Sequence, residues 1–208
     1  MRLDIQKKEK YETEREEIML FEETVFFGIP IRKFQFQREE ITPLLDEYQE
    51  KRDSIIKRSE AYNNDTLGNE QDITEYATDY RHPVTLHEYE KLTMILKNYF
   101  ENNNYTYTLI NYWTAIYNKK GYHKQHFHNS GSLAAPQVNN CGSVLYLNSI
   151  GGTEFYAPHA MSYVSDVWVK SEVGLLVIFP AGLLHSAPTT NSKNERVIIS
   201  GNMGIYKR

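Results

Sequence analysis

The chain has 208 residues, a net charge of −4 and one cysteine, Cys141. That length accommodates one domain with a sizeable core. The acidic balance offers nucleic acid no electrostatic footprint, and the lone thiol excludes an internal disulfide or a multi-cysteine zinc knuckle and fits a reducing compartment.

Residues 1–20 are mostly charged, of both signs, so a solvated tail is expected rather than a signal peptide. No stretch is apolar for long enough to cross a bilayer, and an intracellular, cytoplasmic protein is expected. Residues 24–31, TVFFGIPI, read as one strand, with Pro30 pointing to a sheet edge. A first helix is predicted to begin at Thr42 with Pro43 at its first position; Ile41, Leu44, Leu45, Tyr48, Ile55 and Ile56 share a face. The polar stretch Ala61–Asp79 reads as a long loop. A second helix is predicted behind a Thr85/Glu88 capping box. Its buried stripe is Leu86, Tyr89, Leu92, Ile95, Leu96, Tyr99 and Phe100, and Asn102-Asn103-Asn104 stops it.

From Tyr105 the period becomes strand-like. Strands are predicted at 105–117, 122–128, 143–148, 153–156, 163–169, 173–179 and 195–203, separated by Gly, Pro and Asn clusters. The expected fold class is mainly β with N-terminal helices, as a jelly-roll-like double sheet. The division expected is a single domain, 1–208: a charged segment to residue 20, a helical support region over 21–104 and a β core over 105–208.

Seven histidines are present. In an extended strand, side chains two apart leave the same face, so His126 and His128 can reach one metal ion while Phe127 points away. His185 follows a strand and a tight turn, Phe179-Pro180-Ala181-Gly182-Leu183-Leu184, and supplies a third imidazole at a strand end. Imidazole suits iron, zinc, copper and nickel rather than magnesium or calcium. His123 has the opposite parity to His126 and is expected to face away unless a bulge re-aims it. His82, His87 and His159 stand alone and read as surface or capping residues. Arg196, Ile198, Ser200 and Asn202 share one face of an apolar strand, with Glu195 on the other. If that face is interior, a buried guanidinium there has no obvious carboxylate partner, and a bound carboxylate ligand would supply one as a bidentate pair, with Ser200 as a further donor; the alternative is a surface arginine on an edge strand.

QHFHN, GSVLYLN, GGTEFYAP, GLLVIFPAGLLH and RVIISGN occur in that order. Over residues 105–208 the chain thereby resembles the iron(II)- and 2-oxoglutarate-dependent dioxygenases, most closely their bacterial and phage prolyl-hydroxylase-like subgroup of unknown substrate. The resemblance implies a double-stranded β-helix core and three cofactors or cosubstrates: Fe(II), 2-oxoglutarate and O2. It implies His126 and His185 as iron ligands, Arg196 as partner of the distal carboxylate of 2-oxoglutarate, and Ser200, Tyr146 and Tyr117 as additional groups around that carboxylate. The implied reaction hydroxylates a C–H bond of a protein side chain, proline-like, or of a small molecule, and releases succinate and CO2.

The sequence departs from the family's commonest pattern at His128, where most members have Asp or Glu, and at Ile198, where relatives often have Ser. Glu154 and Asp166 are the candidate substitutes for the missing carboxylate. The loop 129–141 and the Ala61–Asp79 stretch are read either as substrate-selecting lids or as plain connections, with Lys124 at the rim. Two alternatives stay open. One is a cupin-type three-histidine dioxygenase or isomerase without 2-oxoglutarate, suggested by Gly174-x5-Pro180-x-Gly182-x2-His185. It lacks that fold's Glu after the histidine pair and its final Asn, replaced here by Thr189, and leaves Arg196 unexplained. The other is a catalytically silent metal-binding structural module. Nucleic acid and membrane are not expected partners.

Overall fold

The computed structural model describes residues 19–26, 29–62, 75–77, 84–117, 121–128, 141–156 and 167–208. In chain order the described elements are β1 (Met19–Phe26), β2 (Ile29–Phe36), α1 (Arg38–Tyr62), β3 (Glu75–Ala77), α2 (His87–Asn102), β4 (Tyr105–Tyr117), β5 (His123–His126), β6 (Cys141–Tyr146), β7 (Gly152–Phe155), β8 (Val167–Lys170), β9 (Leu175–Pro180), β10 (His185–Ala187) and β11 (Arg196–Lys207). The strands form two sheets, β1-β2-β9-β6-β11-β4-β3 and β5-β10-β7-β8. Every pairing is antiparallel. This is the double-stranded β-helix expected for the second half of the chain. Among the described residues no helix is long and apolar enough to cross a membrane.

Strand alternation divides the core in two. On β11, Val197, Ile199, Met203 and Ile205 face outward and pack with Leu145, Leu176 and Ile178 against the buried stripes of both helices. The inward residues Ile198, Val144, Tyr146, Val177 and Phe179 meet Phe155, Val169 and Ala187 of the small sheet. The helices thus brace the outer face of the large sheet and leave the space between the sheets to the site.

Several expectations about the N-terminal half need correction. Residues 24–31 are not one strand but parts of a hairpin, with Val25 opposite Pro30. β2 is no edge: β9 pairs with it over Arg32–Gln35. Pro30 is tolerated because it lies beyond that pairing, where its missing N–H breaks no ladder bond.

The first helix starts at Arg38, ahead of Thr42, and contains Pro43. Glu40 reaches back to accept from the Gln37 N–H at 2.8 Å, the second half of a capping box. Thr42 Oγ1 donates to the Arg38 carbonyl at 2.7 Å.

The second helix uses no Thr85/Glu88 box. Leu86 is its N-cap and has no side-chain cap. The Glu47 carboxylate of α1 instead accepts from the His87 and Glu88 N–H groups, both at 2.9 Å. Those hydrogen bonds and Lys51 carry the Glu47 pKa below its ordinary value, against desolvation, the largest single influence. Tyr112 Oη accepts from the Leu86 N–H at 2.9 Å. The helix ends as expected: Asn104 is left-handed, with φ 63°, and its carbonyl accepts from Arg208 N.

Finally, the 21–104 region is not only helical, since β1, β2 and β3 extend the large sheet. β3 lies within the expected Ala61–Asp79 loop and pairs with Ala115–Tyr117. The rest of that stretch beyond Tyr62 lies outside the described residues, as do residues 1–18 and 129–140.

Glu47 contributes to stability through a contact between elements. Glu47→Ala is expected to cost about 1 kcal/mol, the typical loss of a side-chain cap, and Glu47→Gln less. Urea denaturation midpoints at constant m-value would measure both.

Candidate metal centre and anion clamp

His126 ends β5 and His185 opens β10, and the two residues are register partners. His185 is also paired with Phe155 on its other side. His128 lies just past β5, where its N–H donates to the Ala181 carbonyl at 2.9 Å and keeps the chain extended beside the turn. One ligand atom from each of His126, His128 and His185 lies within 4.8 Å of the others. The same-face spacing of His126 and His128 and the strand-end position of His185 therefore bring three imidazoles together as the sequence suggested.

Each ring has a hydrogen-bonding partner at Nδ1. His126 Nδ1 meets the Lys124 carbonyl at 2.9 Å, His185 Nδ1 the Leu183 carbonyl at 2.9 Å, and His128 Nδ1 the Asn202 Oδ1 at 3.0 Å. These partners are acceptors, so each Nδ1 carries the proton and each Nε2 carries a lone pair. His185 Nε2 is buried with no hydrogen-bond partner. An orphaned buried acceptor costs on the order of 1–3 kcal/mol, which a bound cation removes. The residues fit a transition metal.

Burial is the largest influence on all three pKa values. It lowers that of His126, takes His128 to about 4 and His185 to about 2, with the neighbouring imidazoles adding to the last two. All three are neutral at pH 7, the form that binds metal.

His123 does not face away. Its ring stacks on His126 with centroids 3.8 Å apart and planes 13° apart. A register shift between His185 and Ala187 sets His126 opposite the first and His123 opposite the second. Four residues of β5 (123–126) thus span three of β10 (185–187), and this bulge re-aims His123. Burial lowers its pKa to about 3, helped by His126, His128 and Arg196. Parity counting missed it because a bulge leaves no mark in the spacing.

The large sheet builds the opposite wall. Gly142 of β6 lies under His128, where an added Cβ would sit 2.7 Å from Nδ1 and 2.8 Å from Phe179 Cε2. Phe179 packs against the rings of both His128 and His185. Trp113 of β4, half-buried, lies 5.5 Å from the His128 ring centroid.

At the other end of β11, Arg196 is 1% exposed. Its guanidinium donates to the Gly152, Pro188 and Ala187 carbonyls at 3.4, 3.0 and 3.3 Å and lies 4.1 Å from the Tyr117 ring centroid. Gly151, with φ +79°, leaves it room, since a Cβ there would meet Nη1 at 2.9 Å. Asn148 fixes the main chain on both sides, donating to the Glu195 carbonyl and accepting from Val197 N. Glu195 points outward as expected, where Arg52 donates to both its carboxylate oxygens at 2.7 Å. Tyr146 Oη donates to Thr153 Oγ1 at 2.6 Å; burial raises its pKa, while Thr153 and the Arg196 charge oppose that rise. Ser200 faces inward four residues beyond Arg196, about 13 Å along the strand, opposite Trp113 and next to Asn202 in the row.

Glu154 does not substitute for a carboxylate ligand. It is not part of the histidine cluster, and it accepts from Tyr156 Oη at 2.8 Å, while its neighbours Thr153 and Phe155 take the inward positions. Asp166, His82 and His159 lie outside the described residues. His87 stays at the surface, 3.7 Å from Glu90. Lys124 is exposed.

Residues 111–202 match the family model described as "Putative 2OG-Fe(II) oxygenase". That stretch holds all three clustered histidines, Arg196 and Asn202. Over residues 111–202 the chain is similar to the 2OG-Fe(II) oxygenases. The family implies Fe(II), 2-oxoglutarate and O2, and the three-histidine cluster fits the iron.

Solved structures share the fold. A Pseudomonas putida prolyl-4-hydroxylase superposes with a TM-score of 0.56 at 13% identity, over 86% of this chain and 92% of that one. The viral collagen prolyl hydroxylase of Paramecium Bursaria Chlorella virus-1, solved with 2OG, gives 0.55 at 16% identity over 83% and 94%. A Trichoplax adhaerens prolyl hydroxylase, in complex with a hypoxia inducible factor peptide fragment, gives 0.56 at 13% over 81% and 79%. No curated protein sequence matches the chain.

Two outcomes follow from the site's geometry. His123→Ala is expected to weaken Co(II) binding severalfold and His123→Phe to retain it, whereas Gly142→Ala should weaken it more than tenfold by displacing His128. Visible-absorption titration of the metal-free protein measures all three. The metal-free protein should also lose stability in acid. The unfolded histidines titrate near 6.5 and the folded ones below it, so unfolding takes up protons in this window. Stability is full above about pH 6.5 and falls progressively as the pH drops towards about 4. Thermal midpoints across that range would show the decline, reduced in His185→Gln.

Proposed function

We propose that the protein is an Fe(II)- and 2-oxoglutarate-dependent dioxygenase that hydroxylates a C–H bond of a protein side chain, proline-like, or of a small molecule. The observation that carries this reading is a cluster of three neutral imidazoles, with a buried guanidinium between the same two sheets. In this reading His126, His128 and His185 hold iron through Nε2. Arg196 binds the distal carboxylate of 2-oxoglutarate. Tyr117 and Tyr146 flank that carboxylate, and Ser200 offers a hydroxyl from the metal side of the row. When bound, iron, 2-oxoglutarate and O2 supply the oxidising chemistry: one oxygen atom enters the substrate C–H bond and the other enters succinate as CO2 leaves.

The protein's own contributions are orientation and exclusion of water. Main-chain carbonyls and Asn202 fix the imidazole tautomers. Asn148 and Gly151 set the guanidinium in place. Ile198, between Arg196 and Ser200, offers an apolar surface to the methylenes of the dicarboxylate. Buried Arg196 supports this reading over a cupin-type site, which has no use for an anion clamp. Trp113 beside His128 and the prolyl hydroxylase likeness of the fold support an apolar, proline-like target. The Trichoplax enzyme's peptide complex is a precedent for a peptide as its carrier.

Anaerobic addition of Fe(II) and 2-oxoglutarate should give the weak visible charge-transfer band of the chelate, and admitting oxygen should release succinate. Arg196→Lys, which cannot form the bidentate fork, should weaken 2-oxoglutarate at least severalfold. A protein that binds Fe(II) but gives neither band nor succinate is a cupin-type or silent metal site instead.

A further inference from the structure

A carboxylate ligand has lone pairs on both oxygens, so its orientation hardly limits metal binding. An imidazole binds only through the nitrogen that lacks a proton. A site with histidine at the third ligand position must therefore control where that proton sits. For His126 and His185 main-chain carbonyls do so, since a carbonyl can only accept. His128 is different: beside the Gly201 carbonyl, it has a side-chain partner, the amide of Asn202 at 3.0 Å from Nδ1. An amide turned end for end presents a donor, which would push the imidazole proton to Nε2 and cover the metal-binding lone pair.

The structure shows what sets the amide's direction. Asn202 Nδ2 donates to Asn111 Oδ1 at 2.8 Å, which leaves Asn202 Oδ1 facing His128. Asn202 and Asn111 are register partners on β11 and β4, and Asn202 is paired on its other side with Gly142, which makes room for the His128 ring. Asn202 is 6% exposed and His128 equally buried, so water does not compete for the bond.

We infer that Asn202, oriented by Asn111, is the positioning residue that keeps His128 in the Nδ1-protonated tautomer and so offers its Nε2 as third metal ligand, an inference that rests on the three-histidine reading above.

Co(II) titration of the metal-free full chain, read by visible absorption, tests it. Asn202→Leu should weaken Co(II) 10–100-fold. Asn202→Asp should bind at least as tightly as the wild type, because a carboxylate only accepts. Asn111→Leu should weaken binding, and adding Asn202→Asp to it should restore affinity, since an aspartate needs no orienting partner. A packing role for the two amides would not produce that rescue. Wild-type affinity in Asn202→Leu would overturn the inference and leave the Gly201 carbonyl, which also hydrogen-bonds to His128, to hold the proton alone. So would an Asn111→Leu/Asn202→Asp pair as weak as Asn111→Leu. Wild-type affinity in His128→Ala would instead remove the three-histidine reading itself. Succinate release, which tests the oxygenase reading, is scored separately.

Discussion

The register of β11 is the constraint on which the rest of the structure depends. This strand sits inside the large sheet, paired along its length with β4 and over half of it with β6. Its outward residues hold the helices; its inward residues run from Arg196 to Asn202 and so connect the buried guanidinium to the histidine cluster. A slip of one residue would bury Glu195 and expose Arg196 while turning Val197 and Ile199 into the site. The apolar outward face therefore does more than stabilise the fold. By packing against Leu96, Phe100 and Ile55, it fixes which face carries the chemistry. Arg52 reinforces that choice from outside, since its pairing with Glu195 rewards only the register that places Arg196 inside.

The site is assembled at the expense of solvation. The imidazoles lie where their charged forms are strongly disfavoured, and one lone pair, on His185 Nε2, is buried with no partner. Hydrogen bonds at Nδ1 recover part of that cost and select the tautomer in the same act. The remainder is a destabilisation of the metal-free protein, which a cation at the convergence point relieves. Folding and metal affinity are therefore coupled. The arrangement resists acid only as far as the metal competes with protons for the Nε2 lone pairs.

How much of this was readable in the sequence depended on whether the signal was local. The strand sequence from Tyr105 onward followed the polar and apolar alternation, and the stripe of α2 followed its period, because burial acts residue by residue. His126, His128 and Arg196 were placed by strand parity, which holds wherever pairing is regular, and His185 by its place at a strand end after a tight turn. His123 was misplaced because a bulge between β5 and β10 breaks that regularity without changing composition. The α2 cap was misassigned to Thr85 and Glu88 because Glu47, forty positions before His87, makes the bond from another helix. The β1–β2 hairpin was read as a single strand because its two arms are both apolar, and only β9 shows where β2 belongs. Asn202 was correctly placed on the inward face, yet its role depended on Asn111, a residue with no motif of its own.

His128 alters the charge balance of the centre as well as its geometry. A divalent ion held by three neutral imidazoles keeps its full +2, whereas a carboxylate ligand would reduce it to +1. Arg196 adds another positive charge in a region of low effective dielectric, where such charges act strongly on each other and on an incoming anion. In the proposed reading the metal is thus retained less firmly by its ligands, and a dianion such as 2-oxoglutarate is attracted more strongly by the whole site. Metal and cosubstrate then favour each other's binding reciprocally, as linkage requires. In the proposed reading the cosubstrate supplies the negative charge that the third ligand lacks, and Arg196 selects an anion with a second carboxylate at its far end.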